Sequence, residues 1–66
     1  MKPSNENIQR VIEESGRLLQ IADTGDSDRE DESCGVLYGI VRDSAYKMKS
    51  QAEQEREKHR KKGTWK

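Results

Sequence analysis

Ile8, Val11, Ile12, Leu18, Leu19 and Ala22, with Ser15 in step, recur at the i, i+3, i+4, i+7 spacing of a single helix face. Gln9, Arg10, Glu13, Glu14 and Arg17 occupy the opposite face, Gly16 lies at the margin, and Ile21 falls off the stripe. Pro3-Ser4 offers a start, with Ser4 as N-cap and Glu6 in the first turn, where the helix dipole favours an anion. Gly25 fits the C′ position that stops a helix. The spacing predicts a first helix over residues 5–24, about 30 Å long.

A second apolar block follows. Leu37, Val41, Ser44, Ala45, Met48 and Ala52 share a face, with Ile40 and Cys34 at its margins. Between the blocks, residues 23–32 (DTGDSDREDE) hold six acids and one arginine. Ser27-x-x-Glu30 matches a capping box, so a short acidic turn over 25–27 and a second helix over 28–62, about 50 Å long, are expected. Past Ala52 the apolar pattern ends. Glu53/Arg56, Glu55/Lys58, Glu57/Arg60 and Glu57/Lys61 are spaced to support a solvated helix. Gly63 is a natural stop, and residues 63–66 are expected to form a loose tail.

These elements predict an all-α protein, an antiparallel two-helix hairpin with a long second helix, occupying residues 1–66 as one small domain. Its expected core is Ile8, Val11, Ile12, Leu18, Leu19, Leu37, Ile40, Val41, Ala45 and Met48. A turn near residue 26 sets Ile12 opposite roughly Ile40 and Leu19 opposite roughly Cys34, leaving residues 48–62 overhanging.

At 100° per residue, Gly35, Gly39, Arg42 and Tyr46 point away from the leucine face, while Val36 and Tyr38 lie on its two flanks. A helix segment with almost no polar side is normally covered all round. Gly35 and Gly39 each cost about 1 kcal/mol relative to alanine in a helix interior, which points to close approach of another helix. The expected oligomer contact is therefore Gly35, Val36, Tyr38, Gly39, Arg42 and Tyr46, in a dimer that closes a four-helix bundle.

Composition supports self-association. The chain has 66 residues, only 29% hydrophobic, and a single cysteine, so one copy alone has a thin core and no disulfide to reinforce it. Formal net charge is zero, but residues 1–32 carry four Lys/Arg and nine Asp/Glu, whereas residues 33–66 carry nine and four. An antiparallel dimer would pair the −5 half of one copy with the +5 half of the other. No run of 7–15 apolar residues follows Met1-Lys2, so no signal peptide is expected. The longest apolar run, residues 36–41, is interrupted by Gly39 and is too short to span a bilayer. No membrane partner is expected, and the cytoplasm is the default compartment.

Candidate chemistry is sparse. Cys34 follows an acidic turn that disfavours a thiolate, so it reads as a small apolar side chain. An EF-hand loop begun at Asp23 or Asp26 lacks the required Gly at its sixth and Glu at its twelfth position. His59 is the only histidine, far from Cys34 along the helix, and gives neither a transition-metal site nor a nucleophile's base. Gly35-x-x-x-Gly39 is no phosphate loop. No cofactor is expected. The first functional expectation is a non-enzymatic self-associating interaction or regulatory module with an unidentified protein partner. The alternative is a nucleic-acid-binding hairpin using Arg56, His59, Arg60, Lys61, Lys62 and Trp65, whose cations would contact phosphates.

Overall fold

The computed structural model describes residues 1–66: two helices, α1 (Pro3–Ser27) and α2 (Glu32–Lys61), packed against each other. They run antiparallel, since Asn5 meets His59 at one end and Asp23 meets Arg42 towards the other. The hairpin is a rod of 48 × 15 × 12 Å.

Helix α1 begins at Pro3, where the missing N–H costs nothing, and Lys2 rather than Ser4 precedes it without a side-chain cap. It passes through Gly25, the expected stop, which does not take the left-handed φ that ends a helix; the Tyr38 ring fills the space a side chain there would need. Ser27, the expected cap of the second helix, is the last residue of the first. The turn is residues 28–31. Asp31 is the actual N-cap of α2, its Oδ1 accepting from the Cys34 N–H at 2.9 Å. Gly63, at φ +74°, supplies the left-handed residue after α2.

The register differs from the expected one. Facing residues number about 64 in sum, as Asn5–His59, Asp23–Arg42 and Gly25–Tyr38 show. Ile12 therefore lies level with Ala52 and Leu19 with Ala45, some three turns from the expected partners Ile40 and Cys34. Residues 48–62 do not overhang, because α1 extends alongside them to Asn5 and His59.

The seam has a 3-4 spacing on both helices. On α1, Asn5, Ile8, Ile12, Ser15, Leu19, Ala22 and Asp26 are the buried or half-buried positions in that sequence. On α2, Tyr38, Arg42, Ala45, Lys49, Ala52, Arg56 and His59 follow the same rule. Ala22, Ala45 and Ala52 are the buried apolar residues, joined by Asn5 and Ser15. Ser15 is satisfied within its own helix, donating to the Val11 carbonyl at 2.7 Å. Small residues at the seam let the two backbones approach closely, and the long stems of Arg42, Lys49 and Arg56 lie along its edge.

Two expected core residues are consequently outside. Leu37 is 52% exposed and Ile40 60% exposed. The seam on α2 is displaced by one residue from the stripe of Leu37, Val41, Ser44 and Met48, a rotation of about 100°. Val11 and Met48 are each 39% exposed, at the seam's edge rather than within it.

Candidate interaction surface

The rotation of α2 decides which side chains are left to meet something else. Leu37, Val41, Ser44, Met48 and Gln51 run along one flank of the seam, and Val11, Leu18 and Gly25 border the same flank from α1. Ile40 and Val36, exposed by 60% and 65%, lie further round α2 on the side away from α1, and Ile21, exposed by 55%, lies further round α1. Near the other end a groove of about 410 Å³ opens on this flank, lined by Ile8, Val11, Met48 and Ala52, with Asn7, Gln51 and Glu55 around it. A second hollow, of about 520 Å³, lies beside Ile21, Gly25 and Tyr38.

The residues expected to meet a partner divide. Tyr38 packs over Gly25, and Arg42 pairs with Asp23 at 3.0 Å, so both face α1 rather than away from it. The Arg29 guanidinium occupies the space above Gly35. Val36, Gly39 and Tyr46 remain open, Gly39 with nothing within 4 Å of a would-be side chain and Tyr46 exposed on the flank opposite the apolar one. Taking the leucine stripe as the inward direction places Tyr38 and Arg42 on the wrong side, whereas Ala45 stays inward and Gly39 and Tyr46 stay outward.

The open end of the hairpin carries a second constellation. Asn5, fully buried, donates from Nδ2 to the Thr64 carbonyl at 2.7 Å, and its Oδ1 lies 2.6 Å from His59 Nδ1. Thr64 returns to α2 through its N–H and hydroxyl, both donating to the His59 carbonyl. Lys2 N–H donates to the Lys66 carbonyl at 2.7 Å. Trp65, half-buried, sets its ring edge-on to His59 with centroids 6.4 Å apart. Residues 63–66 are thus tied down, against the expectation of a loose tail. Asn5 and Thr64 were not singled out in the sequence; a polar residue at a seam position, in step with Ile8 and Ile12, was the available signal.

Electrostatics follow the rod's long axis. At the turn end, Asp26 pairs with Arg29 and Asp23 with Arg42, while Asp28, Glu30, Asp31 and Glu32 have no cation beside them. The Cys34 backbone N–H, with smaller help from further hydrogen bonds at Cys34 and Ser33, holds the Asp31 carboxyl below the usual carboxylate range. At the other end Arg56, Lys58 and Arg60 each sit three residues beyond a glutamate, at 3.9, 3.2 and 3.8 Å. Lys61 and Lys62 have no acid beside them. No group of three or more His, Cys, Asp or Glu side chains is arranged to hold a metal ion, and no helix is long and apolar enough to cross a membrane.

No family model, curated protein or solved structure matches the chain.

Proposed function

We propose that this hairpin is a non-enzymatic, self-associating helical interaction module. One observation carries the reading: Leu37 and Ile40, each more than half exposed, and Val11 and Met48, each 39% exposed, leave an apolar flank uncovered on a chain that is 39% charged. Scattered exposed apolar residues are ordinary, but a contiguous row marks a surface made for contact. Fully burying such side chains yields about 1.5–3 kcal/mol each from a fully exposed start. For eight half-exposed side chains in a dimer the gain is roughly 6–12 kcal/mol, similar to the cost of association. The contact must therefore engage Leu18 and Val41 as well, along the whole flank.

Sedimentation velocity from micromolar to millimolar concentration tests the reading. The expected result is a species of twice the 7.6 kDa chain mass, lost when Ile40 is changed to Glu. A single species of 7.6 kDa at millimolar concentration overturns it.

A nucleic-acid-binding hairpin is the second reading, supported by the gathering of Lys2, Lys61, Lys62 and Lys66 at one end without acid partners. Binding of a short single-stranded RNA at low salt, abolished by Lys61→Glu with Lys62→Glu, is its expected result. No binding at low salt removes it.

A further inference from the structure

We infer that the apolar flank is covered by a second copy lying antiparallel, about a two-fold axis near Ser44, so that each Leu37 enters the partner's groove between Val11 and Met48. The inference rests on the self-association reading and adds to it an orientation and a register.

Its first ground is the row formed by Leu37, Ser44, Gln51 and Lys58, seven residues apart along the flank of α2. Seven residues are almost two turns, so these side chains follow one line with a drift of only about 20° per step. Ser44 is the smallest of them and suits a crossing point where each copy meets itself. An axis there brings Leu37 level with the partner's Gln51, which borders the groove of Ile8, Val11, Met48 and Ala52. An exposed apolar side chain thus meets a recess lined largely by apolar groups.

Charge supplies the second ground. The same axis carries the turn end, with its uncompensated Asp28, Glu30 and Glu32, towards the partner's Lys58, Lys61 and Lys62. A parallel pair would place acid against acid and base against base, which costs energy at both ends and is opposed in solution before contact.

A nitroxide on Cys34, the only cysteine, distinguishes the arrangements by pulsed dipolar spectroscopy. Cys34 is ten residues from Ser44, so antiparallel copies place the two labelled backbones about 30 Å apart along the axis. A parallel dimer brings them to about 10 Å, the spacing of packed helices. Cys34 is half-buried, so the exposed position Ser33→Cys in a Cys34→Ser background serves if labelling disturbs folding. Charge exchange gives an independent readout. Glu30→Lys or Lys58→Glu alone weakens dimerisation about tenfold at low salt, and the two together restore it. A short label distance, or no restoration in the double variant, overturns the inference while a dimeric mass keeps the self-association reading. A chain that stays at 7.6 kDa overturns both.

Discussion

Asn5 Oδ1 and His59 Nδ1 lie 2.6 Å apart although fifty-four residues separate them in the chain. Asn5 Nδ2 already donates to the Thr64 carbonyl, so the oxygen is the atom turned to His59, and Nδ1 must carry the proton. The neutral ring is therefore held as the Nδ1–H tautomer. Nitrogen-15 shifts of the neutral His59 imidazole are expected to show a protonated Nδ1 and an acceptor-type Nε2. The reverse pattern would show that Asn5 presents its amide nitrogen instead.

Removing Asn5 leaves His59 Nδ1 without its partner and the Thr64 carbonyl with only the Lys66 N–H. Asn5→Ala is expected to destabilise the hairpin by about 1–3 kcal/mol, measured by urea unfolding. Hydrogen exchange should also speed up at the Lys2 and Thr64 amides, which close the two ends of this clasp. Unchanged exchange at both would mean that residues 63–66 are held by something else.

The glycines separate into two kinds. Gly16 and Gly39 have open space around them, so alanine at either should stabilise the monomer by about 0.5–1 kcal/mol through helix propensity. At Gly25 the added methyl would meet the Tyr38 ring, and the variant is expected to lose that propensity gain and release the ring from α1. Chemical denaturation of the three single variants, with Tyr38 ring resonances as a local reporter, gives the order. If Gly39→Ala instead weakens self-association, the glycine flank also takes part in the dimer.

Close approach of the helices depends on alanine at the seam. Ala45 is fully buried and lies level with Leu19. Ala45→Leu is expected to cost about 1–3 kcal/mol by forcing the backbones apart. Leu37→Ser and Ile40→Ser, at exposed positions, should change monomer stability little and act on association. Comparing unfolding midpoints with dimer dissociation constants checks both halves of the statement. A large loss of monomer stability in Ile40→Ser would return that residue to the core.

Asp31 gives the turn a pH dependence. Its folded pKa is depressed, so its contribution is fully present above the carboxylate's unfolded pKa and fades as pH falls through the folded one. Asp31→Asn keeps a capping oxygen for the Cys34 N–H without the charge. The wild type should therefore lose more helicity than Asp31→Asn on acidification below the ordinary carboxylate range, followed by circular dichroism. Equal acid profiles would show that the cap contributes no charge-dependent stability.

Much of the secondary structure was legible in the residues themselves. The periodicity from Ile8 to Ala22, the acidic break and Gly63 are local signals, and each acts through a few neighbouring backbone bonds. Local signals also misled where two of them competed. Ser27-x-x-Glu30 and Asp31-x-x-Cys34 both offer a helix start, and Asp31 is the one used, since α1 runs on to Ser27 and leaves that residue inside the first helix.

The inward face of α2 was a different kind of question. Leu37, Val41, Ser44 and Met48 form one 3-4 stripe, and Tyr38, Arg42, Ala45, Lys49 and Ala52 form the adjacent one. Apolar area alone favours the first, and the sequence by itself determined no more than that both exist. The second faces α1 because its alanines let the backbones close up, while Arg42 reaches Asp23 and His59 reaches Asn5. Those contacts need both helices in one register, so only the tertiary structure could select the buried stripe and leave the leucine-bearing one facing outward.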